Sequence, residues 1–258
     1  MQTHELLFEL SHPVRYEITK LLSESPLRLT KIGEKVDANN PEVSRHLDRL
    51  RNANLVEKGS DGRYHNTVIG GLVMSLLPGL SFVADHFDWL EKYDVAGLPP
   101  SFITRLGDLT ESIGVEGFMG VTEAIKGIYG DMGQYYKICS HIIRDETIPM
   151  FRDKIADGFD IRFLIDESIQ LSSDSMGQIS SYSENWRVTP RIPALFAYSE
   201  KSAFVMFPNT VGTYDFSFGL TSDDERFRTW CSDLFSFLWG EGIPVDEYFS
   251  EEMQKNNG

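Results

Sequence analysis

The sequence predicts two folding units: a small N-terminal unit of helices closed by a β-hairpin, and a larger C-terminal α/β or α+β unit joined to it through a helical linker. Three observations carry this expectation. Apolar residues recur at three- and four-residue spacing as far as Asn52, and a hairpin pattern with a glycine at its tip follows. A long uncharged helical pattern then starts at Val68. Beyond Pro100, helical patterns alternate with short runs rich in β-branched and aromatic residues. The boundaries drawn from this are 1–67 for the first unit, 68–98 for the linker and 99–254 for the second unit.

In the first unit, Leu6, Leu7, Leu10, Val14, Ile18, Leu21 and Leu22 form an amphipathic series interrupted by Ser11-His12-Pro13. Proline suits the first turn of a new helix, so the pattern predicts one helix near 3–10 and another from about 13 to 23. A third is expected at about 30–37, capped by Thr30, with Ile32 and Val36 on its apolar side. Asp37-Ala38-Asn39-Asn40 is turn material. A fourth helix should start at Pro41, with Asn40 as its cap, and bury Val43, Leu47 and Leu50. Residues 55–65 read as strand, turn and strand with Asp61-Gly62 at the tip. This order is that of a winged helix-turn-helix.

From Val68 the chain reads as helix through Phe82, Val83, Phe87, Leu90 and Tyr93, with a break expected at Pro78-Gly79. This stretch offers more apolar surface than the small unit needs, so it serves as a linker or as a dimerisation segment. In the second unit, helix is expected at 101–109, loop at 114–120 and helix at 121–131. Strand is expected at 135–139, helix at 146–157 and strand at 160–166. A loop or weak helix follows at 172–184, then strands at 187–189, 194–198 and 203–208, the last two forming a hairpin. Residues 212–219 read as a loop around Tyr214 and Phe216, and Asp223 and Asp224 open a last long helix. The tail 255–258 is expected to fray.

Composition excludes several classes. A chain of 258 residues with 41% hydrophobic and 24% charged residues has material for buried cores and is not disordered. The start lacks the basic flank of an export signal. Residues 68–84 are uncharged, but glycines, a proline and two serines make them a poor bilayer span, so no membrane is expected. Cys139 and Cys231 are too few for a disulfide framework or a zinc cluster, which fits a reducing, cytoplasmic setting. The net charge of −15 argues against a phosphate-rich partner, but acidic and basic residues nearly balance in residues 1–77, and the remainder carries the excess. A near-neutral head can bind DNA if its cations share one face, and an acidic body then helps orient it.

The second helix of such a pair lies in the major groove with its N-terminal residues nearest the bases. Here it offers Glu42, Ser44, Arg45, His46 and Arg49. Arginine grips guanine through two hydrogen bonds, glutamate accepts from cytosine, and serine bonds to either base or phosphate. Arg45 is therefore assigned to a base or its adjacent phosphate, and Arg49 and Arg51 to the backbone or a neighbouring carboxylate. Lys58, Arg63 and Tyr64 of the hairpin reach phosphates or the minor groove, which positions more than it specifies. Thr30 and Lys31 sit where exposed helix N–H groups favour an anion. These features point to double-stranded DNA as partner, read by a homodimer with its two heads on successive turns of the groove. The alternatives are a solvated, salt-bridged face and a scaffold whose winged head binds protein instead.

The runs Leu10-Ser11-His12-Pro13-Val14-Arg15, Pro41-Glu42-Val43-Ser44-Arg45-His46-Leu47-Asp48-Arg49-Leu50 and Asn54-Leu55-Val56 resemble ArsR-type winged-helix regulators. Residues 87–93, 98–102 and 212–216 resemble archaeal regulators that carry the domain named for the methanogenesis regulator FilR. The resemblance implies a dimeric DNA-binding transcription regulator with a C-terminal sensor of unsettled ligand. Residues 1–77 hold no cysteine, so the thiolate pair of the metal-sensing ArsR branch is missing and no metal is expected. His4, His12, His46 and His65 are too scattered to serve as ligands.

In the second unit there is no phosphate-binding glycine loop and no nucleophile elbow. Neither His86 nor His141 has a lysine two residues away, as a phosphodiesterase pattern would require. Cys139 with His141 is a thin basis for a thiolate nucleophile. The chain is therefore expected to be no enzyme and to need no cofactor. A small-molecule effector pocket is expected instead, with Arg162, Tyr182, Arg187, Tyr198, Tyr214 and Asp215 as wall residues; the alternative is a purely structural or dimerising domain. Core packing is the alternative for Tyr198, Tyr214 and Phe216.

Overall fold

The structure is a computed structural model that describes residues 1–169 and 172–256. It divides into two compact units, 1–80 and 81–258.

The first unit is α1 (Thr3–Leu10), α2 (Pro13–Glu24), α3 (Leu29–Val36), α4 (Asn40–Asn52), and the hairpin of β1 (Val56–Lys58) and β2 (Tyr64–Asn66). Pro13 opens α2, and the His12 ring caps it by accepting from the Val14 N–H at 3.2 Å. Two starts differ by a residue from expectation. Arg28, not Thr30, precedes α3, and Asn39, not Asn40, caps α4 by accepting from the Glu42 N–H. The turn between α3 and α4 bends through Asp37 in the left-handed region. It returns so close that a Cβ on Gly33 would meet the Ala38 carbonyl at 2.8 Å, so only glycine lets α3 and the turn pack. Ile18, Ile32, Val43, Leu47, Leu50 and Leu55 are fully buried and form this unit's own core. At the wing tip, Gly62 takes a positive φ and the Asp61 carboxylate accepts from the Arg63 N–H.

The boundary between the units falls within α5 (Val68–Asp85). This helix runs through Pro78 without the expected break. Pro78 is exposed, so water can take up the carbonyl that its ring deprives of a partner. A short α6 (Phe87–Leu90) continues the helical stretch.

The second unit comprises α7 (Pro100–Ile103), β3 (Ile113–Glu116), α8 (Gly117–Asp131), β4 (Tyr135–Cys139), α9 (Ile148–Ala156) and β5 (Asp160–Asp166). Then come α10 (Ser173–Ser180), β6 (Trp186–Thr189), β7 (Leu195–Tyr198), β8 (Ala203–Met206), β9 (Phe218–Ser222), α11 (Glu225–Glu241), β10 (Ile243–Pro244) and α12 (Val245–Asn256). One eight-stranded sheet has the order β10-β6-β5-β4-β7-β8-β9-β3. β4, β5 and β6 are mutually parallel, and every other pairing is antiparallel. The mixed α/β class is as the sequence predicts.

Several local expectations are corrected. Residues 114–120 are no loop: β3 pairs with β9, and α8 begins at Gly117. The expected helix at 101–109 is α7 followed by a 3-10 turn at 106–109. α11 is followed by α12, so it is not the last helix. Of the tail expected to fray, Lys255 and Asn256 belong to α12, and residues 257–258 lie outside the described residues.

The sheet is covered on both faces. Cys139, Leu164, Phe196, Tyr198 and Val205 face α11, where Phe227, Trp230, Leu234 and Leu238 meet them. Tyr136, Ile138, Phe163, Ile165, Trp186 and Phe204 face the other way, with Val121 and Ile128 of α8, Phe151 of α9 and Val245 of α12. This alternation explains why β5, β7 and β8 read as near-continuous apolar runs: both faces are buried. Within that second layer Trp186 stacks on Phe163 with ring centres 3.8 Å apart.

Candidate nucleic-acid interface

α4 buries Val43, Leu47 and Leu50 completely and so turns its polar residues outward. Arg45 is exposed, and among the described residues its guanidinium makes no hydrogen bond or ion pair. Glu42 and Ser44 beside it are half-buried. A free guanidinium near the N-terminal end of this helix suits the two-hydrogen-bond reading of guanine.

Arg49, one turn on, is not free. Glu9 of α1 accepts from its Nε at 3.0 Å and from its Nη2 at 2.5 Å. Those bonds hold the Glu9 carboxyl below the ordinary carboxylate range, with burial opposing and Arg15 helping. Arg15 is buried and donates to the Glu9 and Phe8 carbonyls while its Nε lies 3.3 Å from the Glu9 carboxylate. The Arg15–Glu9–Arg49 triad thus ties α1, α2 and α4 together. Arg51 pairs with Asp48 at 3.3 Å.

Two expected contacts are corrected. Tyr64 is 6% exposed and belongs to the first unit's core, where it lies under Lys58, whose Nζ is 5.4 Å from the ring centre. In the hairpin it shares the face of the buried Val56, which turns it inward. The His46 side chain is 13% exposed, its ring centre is 4.4 Å from that of His12, and its Nε2 is 3.9 Å from Glu42. It packs between helices and is not presented to a base. Burial, then His12 and Arg15, push its pKa below the ordinary 6.5. A depressed histidine gives stability that is present above its unfolded value and lost as pH falls through the folded one. The first unit is therefore expected to melt at lower temperature at pH 5 than at pH 7.5, and the difference to shrink in His46→Gln. Calorimetry across that range reads both, and an unchanged difference would discard the role given to His46.

Lys31 pairs with Glu34 at 2.5 Å, Thr30 is exposed on the first turn of α3, and Arg63 lies 3.6 Å from Asp61 at the wing tip. Sequence reasoning missed Arg28. It immediately precedes α3, is exposed, and has no side-chain partner among the described residues. The signal was present as an arginine before an amphipathic start, but placing that start at Thr30 hid it.

The six residues expected around an effector do not converge. Tyr198 is 4% exposed and packs against Phe235 and Tyr135, so it is core. Arg187 donates to the Trp239 and Gly242 carbonyls, and its guanidinium carbon lies 5.1 Å from the Trp239 ring centre. Arg162 bonds Asp160 at 3.0 Å and lies 5.5 Å from the same ring. These two arginines fasten α11 to the sheet and form no ligand wall. Tyr182 borders a shallow groove with Arg152 and Asp174. Asp215 accepts from the N–H and hydroxyl of Ser217 in a local turn. Tyr214 alone of the six borders the cavity that also contains His141 and Asp166. Cys139 is fully buried, which pushes its thiol pKa far up and removes it as a nucleophile.

Residues 12–58 match the family model described as bacterial regulatory protein, arsR family. No curated protein matches the chain. Among solved structures, the chain is similar to TrmBL2, an archaeal chromatin protein reported to show a novel mode of DNA binding. The identity is 11%, the TM-score 0.43, and the likeness covers 90% of this chain and 94% of that one. It is similar to Nuc, a phospholipase D family member from Salmonella typhimurium, at 9% identity and TM-score 0.39, over 52% of this chain and 97% of that one. It is also similar to the dimethyltransferase RosA from Streptomyces davawensis, at 10% identity and TM-score 0.27, over 72% of this chain and 62% of that one. The expectation that the chain is no enzyme is corrected on this point, because methyltransferases recur among these likenesses. At such identities and TM-scores they give this chain no activity. The residues that carry the comparison are those of the head: 12–58 match the arsR-family model, and they fold as helices followed by a β-hairpin strand.

Proposed function

We propose that the chain is a sequence-specific DNA-binding transcriptional regulator that works in the cytoplasm as a homodimer. α4 lies in the major groove with Arg45 on a base edge and Glu42 and Ser44 beside it. Lys58 and Arg63 of the wing, with Lys31, Thr30 and Arg28 at α3, meet the backbone. The observation that carries this reading is Arg45 itself, exposed and, among the described residues, unpaired on the outward face of a helix whose inward face is buried. The resemblance to regulators with the FilR-type domain supports a C-terminal effector-binding unit, with residues 68–98 as linker and dimerisation segment.

The dimer rests on α5. Val68, Leu72, Leu76 and Leu80 recur every four residues at 82%, 62%, 77% and 59% exposure, with no charged residue before Asp85. This helix is also long and apolar enough to cross a membrane, with mean hydropathy 1.7. A seam of this kind on a helix finds its match in a second copy of itself. Light scattering should give a dimer for the native chain and a monomer for Leu76→Glu. A native monomer, or a chain that sediments with lipid vesicles, would overturn the homodimer.

The DNA reading is tested by selection from random duplexes followed by gel shifts at fixed salt. A two-fold symmetric site with half-sites about 34 Å apart is expected. Selection that enriches nothing, together with capture by a protein partner through α4, would replace this reading with that of a protein-binding scaffold.

A further inference from the structure

A cavity of about 300 Å³ lies beyond the carboxyl ends of the parallel strands β4 and β5. His141 follows β4, Asp166 ends β5, and Arg191 lies on the segment from β6 to β7. The sheet order reverses at this place. From β4 the chain builds outward through β5 and β6, then crosses back to lay β7 on the other side of β4. In open α/β sheets such a switch point leaves a crevice in which ligands bind.

The charges in this cavity are unmatched. Asp166 is 8% exposed, and among the described residues its carboxylate accepts from the N–H and hydroxyl of Ser168, at 3.0 and 2.5 Å. Among the described residues no cation pairs with it. Arg191 lines the same cavity, exposed, and also without an ion pair. A buried carboxylate without a cation is costly, and it repels any ligand that is only an anion. A ligand that is only an amine leaves the guanidinium unanswered. His141 and Tyr214 line the same cavity, stacked with ring centres 4.7 Å apart, and among the described residues the buried His141 Nδ1 has no hydrogen-bond partner. The volume is at the lower end of small-molecule sites, too small for a peptide or a nucleotide chain.

We propose that this cavity binds a free α-amino acid, its ammonium on Asp166 and its carboxylate on Arg191, with the His141–Tyr214 pair against the side chain. The proposal rests on the reading of the C-terminal unit as the effector-binding part, and it names the class of that effector. Both ends of the ligand form charge-assisted hydrogen bonds, which sets a zwitterion apart from a simple acid or base.

The test uses the full chain. Melting temperature is recorded with an equimolar mixture of the twenty protein amino acids, then calorimetry with each alone, beside butyrate, butylamine and inorganic phosphate. At least one amino acid is expected to bind while the three comparators do not. Asp166→Asn and Arg191→Gln should each weaken that binding tenfold or more. Arg191 is exposed, so its variant keeps the test decisive should Asp166→Asn fold poorly. Binding of none of the twenty, equal binding of a comparator, or binding unchanged in Arg191→Gln would overturn the proposal. Gel shifts without amino acid report separately on the regulator reading: lost DNA binding with retained amino acid binding counts against that reading alone.

Discussion

Leu47→Ala is expected to destabilise the N-terminal unit by about 2–5 kcal/mol while leaving the unfolding of the C-terminal unit in place. Leu47 is fully buried among Ile18, Ile32, Val43 and Leu50, and truncation removes both its transfer free energy and the packing around it. The two units have separate cores, so the loss should stay local. The chain supplies its own reporter, since all four tryptophans, at 89, 186, 230 and 239, lie in the second unit. In a urea titration, tryptophan fluorescence should keep its midpoint while the first part of the circular dichroism change moves to lower urea. Coincident shifts of both probes would mean that the units unfold as one.

Arg45→Ala is expected to weaken binding to the selected DNA site by about 1–3 kcal/mol, roughly 5- to 150-fold, with little effect on random duplex. Lys58→Ala and Arg63→Ala should weaken both alike and flatten the salt dependence by about one unit of slope each. Arg49→Ala should cost less than Arg45→Ala, because Glu9 already holds its guanidinium by two hydrogen bonds. Gel shifts on the selected and a scrambled duplex, at one salt concentration, separate these classes. If Arg45→Ala weakens both duplexes equally, Arg45 is a phosphate contact and the base reading fails.

The head was legible because its signals are local. Pro13, Pro41 and Gly62 mark starts and turns within a few residues, and the three- and four-residue spacing of Val43, Leu47 and Leu50 states which side is inward. β5 was legible for the same reason, since both of its faces are apolar. What was missed depends on distant partners. β3 is an exposed edge strand with Ile113 at 71%, and only pairing with β9, a hundred residues later, makes it a strand. The effector residues were chosen by type, and type does not say what an arginine faces. Arg162 and Arg187 went to Trp239, Tyr198 to the core, and the cavity instead gathers His141, Asp166 and Arg191 from three separate crossovers. Likewise no spacing rule links Glu9 to Arg49 across forty residues.

That last pair changes how the head would meet a duplex. Glu9 occupies the two N–H groups of Arg49 that a phosphate oxygen would need in the proposed complex, and it is tethered there at a high effective concentration. Any stretch of DNA that approaches α4 must displace this resident anion before Arg49 contributes attraction. Random sequence, which offers phosphates alone, is handicapped most by such a decoy, whereas Arg45 stays available for base edges. In the proposed complex the carboxylate on α1 would therefore weaken phosphate contacts at Arg49 and leave discrimination to Arg45.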